Sequence, residues 1–139
     1  MKMYMIAMMV MALRMHQGIL TTYNFNMMCD CVMAEAGGES PECQEAVATV
    51  ILNRVYCPDK FPSDIEGVLC ADNQFVFSGS EPTEEVKESV LRALCKYGTL
   101  DQCINKSCYY FRAGHYHDFG IQYMHIDNTY FTLAENFAE

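Results

Sequence analysis

Apolar positions recur every three to four residues through the first two thirds of the chain, and short aromatic-rich runs replace that rhythm afterwards. Phe25, Met28, Val32 and Ala36 define a first helical face. Gly37 and Gly38 should stop that helix, since glycine is the usual residue just past a helix end. Ser40-Pro41 then restarts the chain as an N-cap followed by proline at the first helical position. Ala46, Val47, Val50, Ile51 and Val55 give the second helix one apolar face, ended by Cys57-Pro58-Asp59. Residues 61–80 are rich in Pro, Asp, Asn, Gly and Ser and read as a loop, with room for one helical turn at 65–69. Val86, Val90, Leu91 and Leu94 predict a further helix over 82–97, with Gly98 beyond its end and a Glu88–Arg92 pair on its outer face. Residues 108–111, 123–126 and 130–133 read as short strands, with Asp127-Asn128 turning between the last two. Helices first and strands last predict an α+β domain, mostly helical, with a small antiparallel sheet in the C-terminal third.

The N-terminal segment is different. Seven of the eleven methionines lie within residues 1–15, and Lys2 precedes an apolar run over 3–13. The run is shorter than an ordinary membrane-spanning helix and has the length of a signal-peptide core, without a convincing small-x-small cleavage site after it. Residues 1–22 are therefore read as an apolar extension or signal segment, and 23–139 as a single domain.

Charge narrows the function. Eighteen acidic residues against nine basic ones give a net charge of −9, and no basic run exists. A nucleic-acid partner is excluded, because phosphates demand clustered Lys and Arg. The eight cysteines fit either disulfides in a secreted protein or small buried hydrophobes in a reducing compartment. Neither Cys29-x-Cys31 nor Cys103-x4-Cys108 has zinc-ligand spacing, and His115-x-His117, placed at alternate strand positions, lacks completing ligands. No metal and no cofactor are expected. Residues 51 % hydrophobic in total suffice for a core without such staples.

Two carboxylates flank the first helix stop, Glu35 and Glu39. Met33, Ala34 and Ala36 make the surroundings of Glu35 locally apolar, which disfavours ionisation, and an ionised Glu39 would act in the same direction. A carboxylic acid still protonated near neutral pH is what a glycosidic leaving group requires. As ordinary helix-end residues, the same pair would carry no chemistry. Asn53 and Arg54 at the end of the second helix read as structural, capping the helix and forming a salt bridge. Gln74 and Phe75 in the long loop are candidates to line a groove. Tyr109, Tyr110, Phe111, Tyr116, Phe119, Tyr123, Tyr130 and Phe131 crowd the last third. Without tryptophan, sugar stacking falls to Tyr and Phe, and Tyr110 and Tyr116 are the candidates.

The ordered blocks AEAGGES (34–40), QEAVATVILNRV (44–55), FPSDIEGVL (61–69) and NQF (73–75), with a weaker continuation in YYFRAGHYHDFG and NTYF, resemble the cell wall hydrolase family of the spore cortex-lytic enzymes, the SleB-like proteins. The resemblance runs from about residue 24 to 133. It implies a lysozyme-like α+β domain that cleaves peptidoglycan glycan strands between N-acetylmuramic acid and N-acetylglucosamine, with Glu35 as the catalytic acid. Glu39, Gln74, Phe75, Tyr110 and Tyr116 would then bind substrate. The family usually has Gly where this chain has Cys43, and a Gly-Asn-His type turn where it has Asp127-Asn128-Thr129. With one acid in the motif, a lytic transglycosylase fits better than a hydrolytic muramidase, and a non-catalytic wall-binding or virion structural protein is the alternative of another class. A Cys-His peptidase built on Cys43 with His115 or His117 is a further one. Glycan strands are the expected partner; no stable protein partner is evident, and a monomer is expected.

Overall fold

The chain was described from a computed structural model covering residues 1–71 and 75–134. Among the described residues the elements are α1 (Met3–Met15), α2 (Thr22–Ala36), α3 (Pro41–Val55), α4 (Ile65–Leu69), α5 (Glu84–Lys96), β1 (Cys108–Ala113), β2 (Ile121–Ile126) and β3 (Thr129–Leu133). The strands form one antiparallel sheet in the order β1-β3-β2, so the last strand is central. This is the α+β arrangement the pattern predicts.

The helices start where polar residues answer free backbone amides. Thr21 accepts from the Asn24 amide while the Asn24 side chain accepts from the Thr21 amide, a reciprocal cap for α2. Ser40 accepts from the Cys43 amide at 3.2 Å and Pro41 follows it, as expected for α3. α5 begins at Glu84 rather than Pro82, because Thr83 is extended and its hydroxyl accepts from the Val86 amide. Gly98, at φ 78°, takes the left-handed conformation beyond α5. Gly37 and Gly38 mark the end of α2 for a different reason: neither has a positive φ, and Gly37 is right-handed helical. The chain turns there because the Glu39 amide and the Gln44 side chain both donate to the Ala36 carbonyl.

α3 is the centre of the molecule. Every residue from Cys43 to Val55 is buried, and the helix packs on α2, α4, α5 and β1. Five of those residues are polar or charged, and each is answered. Gln44 donates to the Ala36 and Glu39 carbonyls and accepts from Ser89 at 2.9 Å. Glu45 pairs with Arg92 at 3.0 Å and Lys96 at 3.4 Å, and Arg92 also pairs with Glu88 as the helix spacing predicts. The Thr49 hydroxyl donates to the Glu45 carbonyl. Asn53 donates to the Asn105 and Cys108 carbonyls, and Arg54 Nε to the Tyr109 carbonyl at 2.8 Å, which ties the end of α3 to β1.

The N-terminal apolar run forms α1 and lies against α5. Met5 and Ala12 are fully buried, while Met3, Ile6, Val10 and Met11 face outward. Just beyond α1, His16 is buried between Tyr56, 2.6 Å from Nδ1, and the Leu94 carbonyl, 2.8 Å from Nε2. All eight cysteines are free thiols, four of them buried in the manner of small hydrophobes.

In the sheet, Phe111, Phe131 and Met124 share one register row on the core side, and Arg112, Tyr130 and His125 share the adjacent row on the other side. His115 and His117 lie in the β1–β2 connection, not at alternate strand positions. Asp127 turns β2 into β3 at φ 52°.

Gln44→Leu tests the tie between α3 and the end of α2. Leucine matches the volume but removes the side-chain donor to the Glu39 carbonyl, one of the two donors to the Ala36 carbonyl and the acceptor beside the Ser89 hydroxyl. The variant should lose about 1–3 kcal/mol in a urea denaturation.

Candidate active site

Glu35 occupies the last turn of α2, one residue before the helix stops. It is half-buried, and burial raises its carboxyl pKa above the ordinary glutamate value. The Val76 amide donates to Oε1 at 3.2 Å and works in the opposite direction, favouring the ionised form. The balance leaves the carboxyl raised. Glu39, expected to raise it further through its charge, does not enter this balance. That residue lies half-buried in the turn between α2 and α3, where its carbonyl accepts from Gln44 and its charge acts on Cys43.

The loop that reaches Glu35 is fastened to α2 a second time. Asp30, the first acidic residue of the chain, accepts from the Ser78 amide at 3.1 Å, the Gly79 amide at 3.1 Å and the Ser78 hydroxyl, all through Oδ1. Residues 75–79 are thus laid along α2 by two carboxylates.

Phe75, next to the amide that meets Glu35, connects the acid to a second group. Its ring lies 4.9 Å from the Arg54 guanidinium carbon. Phe61 and Tyr110 approach the same carbon at 5.0 and 5.3 Å, so three rings surround a buried cation. Cys31, one turn before Glu35 and fully buried, feels the charges of both Glu35 and Arg54, so both charged groups lie near one thiol. Phe75 also packs on Phe111, and Tyr110 meets Phe119 edge-on at 5.0 Å.

Of the sequence candidates, Glu35, Phe75 and Tyr110 come together around this feature. Tyr116 does not: it packs edge-on against Tyr130 at 4.9 Å, and Tyr130 stacks on His125. Gln74 falls outside the described residues. Arg54, read from sequence as a structural helix-end residue, is the hub of the aromatic cluster. Its signal was a charge inside the apolar run 46–55, with aromatic residues in each segment that follows. Asp30 and Phe61 were missed altogether. The Cys43 thiol is fully buried and pushed up to about 11, so it offers no thiolate, and His115 is exposed with its Nδ1 against the Tyr116 carbonyl. A Cys-His nucleophile is not assembled here.

Fold and site together define a small, mostly helical α+β domain with, among the described residues, one raised carboxyl at a helix end, beside an aromatic cluster. The chain belongs to the Cell Wall Hydrolase family, whose model matches residues 38–132. The matched span takes in Glu39, Arg54, Phe75 and Tyr110 and begins three residues after Glu35. A spore cortex-lytic enzyme of Bacillus subtilis (strain 168) is 31% identical over 102 residues, 68% of this chain. The match spans only 31% of that relative's length. The catalytic domain of the Bacillus cereus SleB protein superposes with a TM-score of 0.68 at 25% identity, over 84% of this chain and 93% of that one. The catalytic domain of the germination-specific lytic transglycosylase SleB of Bacillus anthracis gives the same score and identity over 98% of its length.

The raised pKa makes a stability prediction. A carboxyl whose folded pKa exceeds its unfolded one favours the fold below the unfolded value, and that advantage is lost as pH rises through the folded value. Native protein at neutral pH therefore carries an unfavourable ionised group that Glu35→Gln lacks. The variant should be more stable than the native chain at pH 7.5, and the difference should shrink below the ordinary glutamate pKa. Chemical denaturation at both pH values measures it; a variant less stable at pH 7.5 would contradict the assignment of burial as the dominant cause.

Proposed function

We propose that this domain cleaves the glycan strands of peptidoglycan between N-acetylmuramic acid and N-acetylglucosamine as a lytic transglycosylase, with Glu35 as acid and then base. Membership of the Cell Wall Hydrolase family supports the substrate class, and the likeness to the lytic transglycosylase SleB of Bacillus anthracis supports the reaction type. The observation that carries the reading is the raised, half-buried Glu35 carboxyl with one amide donor on it.

Protonated Glu35 gives its proton to the bridging oxygen as the bond from muramic acid C1 breaks. The muramic acid C6 hydroxyl then attacks C1, and its proton passes to the Glu35 carboxylate, which restores the acid and leaves a 1,6-anhydro ring. Burial favours the protonated carboxyl that the first half needs, and the Val76 amide stabilises the carboxylate that exists between the halves. A hydrolase of the retaining kind needs a second, free carboxylate about 5 Å from the first. Asp30, the other carboxylate on α2, accepts three hydrogen bonds at Oδ1 from the 75–79 loop, which favours the single-acid route. Phe75 and Tyr110 supply ring faces and Tyr110 a hydroxyl for the sugars; Glu39 serves in support.

Glu35→Gln should fold and lose roughly 100-fold to 10,000-fold in muropeptide release from purified peptidoglycan. Native activity should decline as pH rises through the raised Glu35 pKa, because the acid must start protonated. Mass spectrometry of the products should find anhydro-muropeptides. Reducing-end products instead would make the enzyme a muramidase with the same acid, and a fully active Glu35→Gln would remove the assignment.

A further inference from the structure

We propose that Asp30 is a positioning residue for Glu35, acting by clamping the 75–79 loop onto α2. The inference rests on the reading of Glu35 as the acid, and its geometry is independent of that reading. Asp30 and Glu35 are five residues apart on one helix. Between them they hold the loop at three backbone amides: Val76 on Glu35, and Ser78 and Gly79 on Asp30. The Ser78 hydroxyl adds a further bond to Asp30 and itself accepts from the Ser80 amide, which closes the loop behind the clamp.

The two attachments differ in what they can bear. A general acid that becomes a base must change charge during turnover, so its bond to Val76 strengthens and weakens with each cycle. Asp30 has no such duty. Its three donors, two of them backbone amides, hold the loop through the whole cycle and keep Phe75 against Arg54 and Phe111. Without that clamp, a loop with few other polar anchors among the described residues would leave Glu35 more open to water. Burial is the larger influence on the Glu35 carboxyl and the Val76 bond the smaller. Loosening the loop removes both, and the net change is downward. The role assigned to Asp30 is hydrogen-bond acceptance, which an uncharged oxygen at the same place can also fill, since one oxygen takes all three bonds.

That distinction sets the test. Asp30→Ala abolishes the acceptor, whereas Asp30→Asn removes the charge and keeps an amide oxygen at the same place. The Glu35 carboxyl is followed directly by carbon-13 NMR titration in the native chain and both variants, with activity profiles measured in parallel. In Asp30→Ala the titration midpoint should fall, the alkaline limb of the activity profile should move to lower pH with it, and turnover should drop roughly tenfold to a hundredfold. Asp30→Asn should titrate and turn over like the native protein. An Asp30→Ala protein with an unmoved Glu35 midpoint overturns the proposal, as does an Asp30→Asn protein that behaves like Asp30→Ala. If circular dichroism shows Asp30→Ala to be unfolded, Asp30 is a folding residue and the positioning role is likewise overturned. The titration separates this inference from the function: a native chain inactive on peptidoglycan would refute the proposed reaction, while the midpoint comparison would still decide the role of Asp30.

Discussion

Residues 43–55 of α3 are removed from water, and the parts that position Glu35 are attached to that helix directly or through one neighbour. Gln44 at its start holds the end of α2. Arg54 at its end holds the ring of Phe75, and Phe75 precedes the amide that meets Glu35. A helix buried on all sides has no solvent face to absorb polar residues, so each one must find a protein partner or be paid for in lost stability. The five polar positions of α3 consequently act as addresses. Each specifies which neighbouring backbone or side chain must lie beside it, and the α2 end, α5 and β1 are set in register by those demands. Apolar packing alone tolerates sliding between helices, whereas a stranded buried amide does not.

Arg54 shows how such an address can serve a site. A guanidinium is planar and more weakly hydrated than an ammonium, so it accepts burial among ring faces better than lysine would. The three rings come from the loop after α3, the loop before α5 and the first strand. The cation gathers them at the end of the helix opposite Gln44. Burying Glu35 then opposes stability in the way functional carboxyls commonly do, and the fixed framework of α3 is what tolerates it.

Much of this was legible in the sequence. The helix faces, the Ser40-Pro41 start, the Glu88–Arg92 pair and the Asp127 turn all arise from interactions within a few residues, and local pattern captures such interactions. Gly37-Gly38 marked the right place through the wrong cause, because the turn is closed by Gln44 from the next helix and not by a left-handed glycine. Of the candidate site, Glu35, Phe75 and Tyr110 were legible, and the groups that bring them together were not. Arg54 looked structural because the rings that define its role lie in three separate segments. Asp30 was silent because its partners are 48 and 49 residues away, in a loop whose composition said only that it was a loop. Tyr116 was grouped with Tyr110 by composition, yet the β1–β2 connection returns it to Tyr130.

The charge of the chain bears on how the site would meet the proposed glycan substrate. A protein at −9 gains no long-range attraction to an anionic polymer, and four of its nine cations are engaged internally: Lys87, Arg92 and Lys96 with carboxylates, Arg54 with its rings. Steering over more than a Debye length, about 8 Å at physiological salt, is therefore absent, and recognition falls to contacts made after encounter. Under the proposed reading, those contacts would be the ones the framework presents: the faces of Phe75 and Tyr110, polar atoms along the 75–79 loop, and the Glu35 carboxyl. A polymer substrate tolerates this arrangement, because a strand already touching the surface at one sugar stays close enough for the next to be tried. The demand then shifts from attraction to geometry, and the geometry at the acid depends on how firmly residues 75–79 are held against α2.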